Sequence, residues 1–302
     1  EAGNVSVVAH TLFPLKQGKA AVTLNANGIN DRLDADLAWR VARETDFHGN
    51  LNMSSFFDRD EEGKMIIDID VNPSQLVFND KPWQVDPAKV SVHDGVIKVD
   101  NLCGHSDDQF VKINGEASKN PESELCLELN DISLDYVFET LNINHVTFGG
   151  QATGKFYASD LFSKAPRLYT PVLHVAGLSY NNALMGDTDI KSRWLNDEKA
   201  VELDADIAQT NGLHSRIKGA IFAADDSLYL DFDAHRANVG FLKPYMSAFT
   251  SDVQGEVSGN AILFGNFKTI NLKGDIKADS LKFKLDYTNV YYTCSGDSVH
   301  MK

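Results

Sequence analysis

Nine histidines, three cysteines and 43 carboxylates are the groups in this 302-residue chain that could hold a metal or move a proton, and their spacing decides against most such chemistry. The histidines form no His-Glu-x-x-His and no His-x-x-x-His pair, and no cysteine pair stands near them, so zinc hydrolysis has no scaffold. Cys103-Gly104-His105 places two ligands one residue apart on an expected turn, too few for a site. Asp58-Arg59-Asp60-Glu61-Glu62-Gly63 matches the first half of a calcium loop, but the residue at the twelfth position is Ile69, where coordination needs a bidentate glutamate. The stretch reads as an acidic hairpin turn between Phe57 and Met65. Carboxylate pairs such as Asp204/Asp206 and Asp231/Asp233 are spaced to share the polar face of a strand, with no pattern that would separate their pKa values. No nucleophile elbow, phosphate loop or dinucleotide fingerprint occurs. The reading is a non-enzymatic chain with no cofactor and no metal.

The elements that carry these residues are strands. In Leu33-Asp34-Ala35-Asp36-Leu37-Ala38-Trp39-Arg40-Val41 apolar and mostly charged residues alternate, as a sheet with one apolar and one polar face demands. The segments 201–207, 228–233 and 281–287 repeat the pattern. Asn27-Gly28, Asp94-Gly95, Asn114-Gly115, Asn211-Gly212 and Lys273-Gly274-Asp275 supply residues that tolerate positive φ, and are expected as turns between antiparallel hairpins. Only Leu134 to Leu141 and Phe241 to Phe249 space apolar residues three or four apart, and each predicts a short helix.

Those two segments expose an internal repeat. Each leads into a spaced glycine pair, Gly150/Gly154 and Gly255/Gly259, at an offset of 105 residues. Upstream, Leu125 to Leu129 corresponds to Leu228 to Phe232 with a slip of two residues. The expected organisation is residues 1–122 as N-terminal hairpin units, 123–225 as a first β-repeat and 226–302 as a second, in an elongated, curved antiparallel array. The four glycines are expected to let the sheet bend or to admit a close backbone.

Composition narrows the setting. With 43% hydrophobic residues the chain can bury a substantial core, and a formal charge of −15 repels nucleic acid. No run approaches the roughly 18–20 apolar residues of a membrane-spanning helix. The last residues, Asp297 to Lys302, read as a strand, and the chain is taken as a piece of a longer protein. Cys103, Cys126 and Cys294 read as half-buried thiols, with a Cys103–Cys126 bridge across neighbouring strands left open.

The repeat resembles the AsmA/TamB-like family of bacterial envelope proteins, in the large form found in Bacteroidetes. Val253 to Gly265 is similar to that family's glycine-spaced strand, and Leu272-Lys273-Gly274-Asp275-Ile276 to the strand that follows it. Pro73 to Asp80 with Trp83, then Asp94 to Leu102, resemble its recurring units of extended strand, glycine turn and strand, so the likeness covers roughly residues 65–302. It implies an open trough with an apolar concave face, in the periplasm of an envelope protein anchored in the inner membrane, carrying phospholipid or another acyl-chain ligand to the outer membrane. It also implies an outer-membrane β-barrel partner reached through other regions. A sixteen-carbon chain in water costs on the order of 12 kcal/mol at about 0.8 kcal/mol per methylene, so such transfer needs an apolar lining. The lining expected here is Leu203, Ala205, Ile207, Leu228, Leu230, Phe232, Leu281, Phe283 and Leu285. Alternation alone fits equally a sheet face that meets a second sheet or the two short helices. Two rival functions stay open: a scaffold for assembly of outer-membrane proteins, and a surface adhesin or glycan-binding module, which would need an aromatic platform from Trp39, Trp83 or Trp194.

Overall fold

The computed structural model of the chain describes residues 4–14, 19–41, 47–78, 80–135, 148–162, 166–222, 225–243, 250–266 and 269–301. They are almost entirely strand, and every strand pairing is antiparallel, as the two-residue alternation requires. The chain divides into two compact units, residues 1–132 with 156–166 and residues 133–155 with 167–302.

In the first unit β1 (Asn4–Pro14), β2 (Lys19–Ile29), β3 (Arg32–Val41) and β4 (Phe47–Arg59) form a meander. Beyond them lies a long hairpin broken in the middle of both arms. One arm is β5 (Met65–Val71) and β6 (Ser74–Phe78), the other β7 (Lys81–Val85) and β8 (Ala88–His93). β5 and β6 both pair with β4, and β7 and β8 both pair with β9 (Val96–Ser106). The breaks coincide because Pro73 on one arm and Pro87 on the other both fall between the pairs Val71–Ala88 and Ser74–Val85, and neither proline can donate to a ladder. Asn72 and Asp86 keep the junction bonded by donating their backbone N–H to the carbonyls of Asn52 and Cys103, both at 2.9 Å. Val71, Val85 and Ala88 pack there with Leu51, Leu76 and Leu102. The unit closes with β10 (Gln109–Ala117) and β11 (Glu124–Ser133).

β12 (Phe148–Ser159) starts the second unit, and its last residues belong to the first. After the short β13 (Arg167–Tyr169) come β14 (Leu173–Tyr180), β15 (Ala183–Leu195), β16 (Ala200–Ala208) and β17 (His214–Phe222). They are followed by β18 (Ser227–Asn238), β19 (Thr250–Asn266) and β20 (Thr269–Leu285). β14 pairs with β12, and from β15 to β20 each strand pairs with the one before it. The far edge of β20 is shared by β21 (Val290–Cys294) and β22 (Ser298–Met301).

Asp94-Gly95 and Asn211-Gly212 are turns as expected, and residues 58–65 form the acidic hairpin turn. Three other expected turns lie inside strands. Gly28 sits in β2 opposite Val5 and Leu33, Gly115 occupies a register shift in β10, and Gly274 lies in the middle of β20 opposite Ala261. The physical reason is crowding: a Cβ on Gly115 or Gly274 would stand 2.3 or 2.2 Å from a carbonyl oxygen of the neighbouring strand. Of the expected helices, residues 136–141 and 244–249 lie outside the described residues. Leu134 and Asp135 are helical, and a 3-10 turn spans Val239–Leu242, with the Asn238 side chain accepting from the Gly240 amide at 2.8 Å.

The repeat has a backbone signature as well as a sequence one. Asp131 and Arg236, also 105 residues apart, both take positive φ, 54° and 49°, and each is followed by a side chain only 3% exposed, Ile132 and Ala237. In β18 this is a bulge, where His235 and Arg236 together face Ser258, and the Ser258 hydroxyl accepts the Arg236 amide at 2.9 Å.

Candidate functional site

The nine expected lining residues fall on one face of the second unit's sheet. Across β15 to β20 the registers align Ile190, Ala205, Ile217, Phe232, Ala261 and Gly274 in one row. The next row holds Leu203, Gly219, Leu230, Leu263 and Leu272, and the one after it Val201, Ile221 and Leu228. Leu281, Phe283 and Leu285 would point the other way in an unbroken strand, since Ile276 and Ala278 hold the even positions of this face. Asp279 is an extra residue between the pairs Val257–Ala278 and Glu256–Ser280, and this bulge returns the odd positions to the apolar face. Leu281 and Phe283 then pack with Val253, Val257 and Val239.

The face is not uniformly accessible. Ala205 and Phe232 are each 4% exposed and Ile207 1%, and Ile207 and Phe232 are enclosed with Ala234, Ala237, Met185, Ile217 and Leu263. The start of β15 reaches the 3-10 turn at this end, where a Cβ on Gly240 would be 3.1 Å from that of Ala183. Leu203, Leu228, Leu230, Leu281, Phe283 and Leu285 are half-buried. Three of the nine therefore form a packed floor and six border solvent.

The four glycines of the repeat admit the adjacent strand. A Cβ on Gly150, Gly154, Gly255 or Gly259 would fall 2.8 Å from Val175 Cγ1, 2.6 Å from Val172 O, 1.7 Å from Ser280 O and 2.3 Å from Asp275 O respectively.

The opposite face is a charge ladder. Lys191, Asp204, Lys218 and Asp231 stand opposite one another in alternating sign across β15 to β18. Arg216 donates two bonds to Asp204, at 2.8 and 2.7 Å, and holds its carboxyl below the ordinary 3.8. Six histidines, at 93, 105, 174, 214, 235 and 300, each face an aspartate. Among the described residues no three His, Cys, Asp or Glu groups are placed to hold a metal ion. Cys103 and His105 lie in β9, not on a turn, and burial, then Asp86, pushes the Cys103 thiol up, opposite to what a nucleophile needs. Cys103 and Cys126 are free thiols on β9 and β11, which flank β10 and are not neighbouring strands. In the acidic turn Asp60 accepts the backbone amides of Glu62 and Lys64 and faces His93 at 2.8 Å, while Asp94 binds Lys64 at 2.8 Å. His93, the first cause, depresses Asp60, and Lys64 depresses Asp94.

The first unit repeats the division of faces, with Ala26, Ala35, Met53, Val71 and Ala88 in register on the apolar side. It also holds an aromatic row that spacing in the sequence does not reveal. Trp39, Phe47, Phe78 and Trp83 follow one another with ring centroids 5.8, 5.6 and 6.0 Å apart, across β3, β4, β6 and β7. Trp83 is 6% exposed, and Trp39, Phe47 and Phe78 are half-buried. A cleft of about 780 Å³ nearby is lined largely by polar groups, among them Asn50, Gln75, Gln84 and His105.

No family model, curated protein or solved structure matches the chain.

Proposed function

We propose that the chain is a non-enzymatic segment of an envelope protein, of the AsmA/TamB-like kind it resembles, whose apolar sheet face holds the acyl chains of phospholipid on their way between inner and outer membranes. One observation carries this reading: apolar side chains from strand after strand align in continuous rows on a single face, and six of them border solvent. A continuous row supplies what a moving acyl chain requires, an apolar surface with no polar step at strand boundaries. The periplasmic setting and the outer-membrane partner come with the resemblance.

The experiment is mass spectrometry of lipid extracted from the folded, purified protein, beside a Leu230→Glu/Phe283→Glu variant. Both positions are half-buried and lie on the apolar face. The expected result is stoichiometric phospholipid in the parent and its loss from a variant with unchanged circular dichroism. Lipid retained by the folded variant would refute the assigned face, and a lipid-free parent would move the weight to the assembly scaffold.

A further inference from the structure

The polar face of the first unit carries charge along one half of the broken hairpin. Asp70, Lys89 and Asp100 stand in one row across β5, β8 and β9, and Asp68, Ser91 and Lys98 in another. Past the proline breaks the same face changes character. Asn50, Gln75, Gln84 and His105 stand opposite one another across β4, β6, β7 and β9, in a row with no acidic or lysine side chain. With adjacent strands about 4.8 Å apart, the row runs for about 14 Å. Each of its four strands is paired on both sides, so it lies inside the sheet. Gln75 and Gln84 are exposed, Asn50 and His105 are half-buried, and all four line the cleft of about 780 Å³. Among the described residues the side-chain amides of Asn50, Gln75 and Gln84 have no hydrogen-bond partner, although each can both donate and accept. Gln75 and Gln84 do not bond even to one another, cross-strand neighbours though they are.

We propose that this cleft binds a neutral oligosaccharide, laid across the strands with its hydroxyls on the amide row. A primary amide donates and accepts side by side, so one amide meets two neighbouring hydroxyls of a sugar ring in complementary sense. Charge favours this class of ligand. The lining holds one lysine and one aspartate, Lys81 and Asp107, whose charges cancel, while the chain as a whole carries −15. Lys81 already donates to Gln109 Oε1 at 3.3 Å, so an anionic ligand meets no free cation. Val77 and Pro82, opposite one another in the adjoining row, add a small apolar step for the C–H face of a pyranose. An extended peptide, which takes its affinity from main-chain bonds to a sheet edge, has no edge in these paired strands. The row occupies the face opposite the apolar one, and the inference stands apart from the lipid reading.

The test is calorimetric titration of the full chain with neutral tri- and tetrasaccharides of glucose, mannose, galactose and N-acetylglucosamine. At least one should bind with a dissociation constant below about 1 mM, raised about tenfold or more by Gln75→Val/Gln84→Val and unchanged by Lys98→Gln in the neighbouring charged row. Circular dichroism verifies that the variants fold, and both glutamines are exposed, so their replacement leaves the core intact. Asn50→Ala should give the same loss and serves as the test if the double variant does not fold. Absence of binding by every one of these sugars at about 5 mM, binding that survives the glutamine variant, or binding lost with Lys98→Gln would overturn the proposal. So would a preference for trigalacturonate, or for the peptide Ser-Gly-Ser-Gly, over every neutral sugar.

Discussion

Gly255 shows how closely one residue can be specified by a neighbouring strand. Its φ is +126°, and the Ser280 carbonyl oxygen lies 1.7 Å from where a Cβ would sit. Gly255→Ala must displace β20 or strain β19, and should destabilise the fold by about 2–4 kcal/mol in thermal or urea denaturation. Gly212→Ala, in a turn with nothing within 4 Å, should cost only about 1–2 kcal/mol, for its left-handed backbone alone. The turn at Asn211-Gly212 was legible in the sequence for the same reason that Gly274 was not. Local turn chemistry is written in adjacent residues, whereas a glycine required by a carbonyl on the next strand looks the same in isolation. A second prediction concerns Asp204, whose carboxyl is lowered from 3.8, first by its hydrogen bond from Arg216. A depressed carboxyl contributes stability that is full above its unfolded value and lost as pH falls through the folded one. Asp204→Asn should therefore lower the unfolding free energy at pH 7 by no more than about 1 kcal/mol for so exposed a pair, and the difference, read from urea denaturation, should vanish as pH drops below 3.8.

At the scale of the strand, the bulge at Asp279 decides which face three apolar residues occupy. Deleting Asp279 would regularise the pairing of β19 with β20 and turn Leu281, Phe283 and Leu285 to the charged side. Such a variant should unfold at least about 3 kcal/mol more easily, or fold with increased binding of an apolar dye, whereas Asp279→Ala should keep the register and lose mainly the bond from the Ser258 hydroxyl. Alternation made the strands and their two faces readable from residues 33–41 or 201–207 alone. It could not announce the bulge, because an extra residue is defined only against the partner strand. The row from Trp39 to Trp83 was hidden for a related reason, since its rings come from four strands separated by turns. The paired breaks at Pro73 and Pro87 likewise gain their meaning only when the two arms are laid side by side.

For the molecule as a whole, a charge of −15 makes copies repel one another at low salt. Salt screens such repulsion between acidic bodies, with a Debye length of about 8 Å at 0.15 M. The connectivity has a further consequence. From β15 to β20 every strand is bonded to the one made just before it, so no segment has to wait for a distant partner to arrive. Loop closure stays short at each step, and the growing edge is always the newest strand. A polypeptide of this kind can build its sheet in the order in which it is threaded into a compartment, adding one rung at a time to what is already in place.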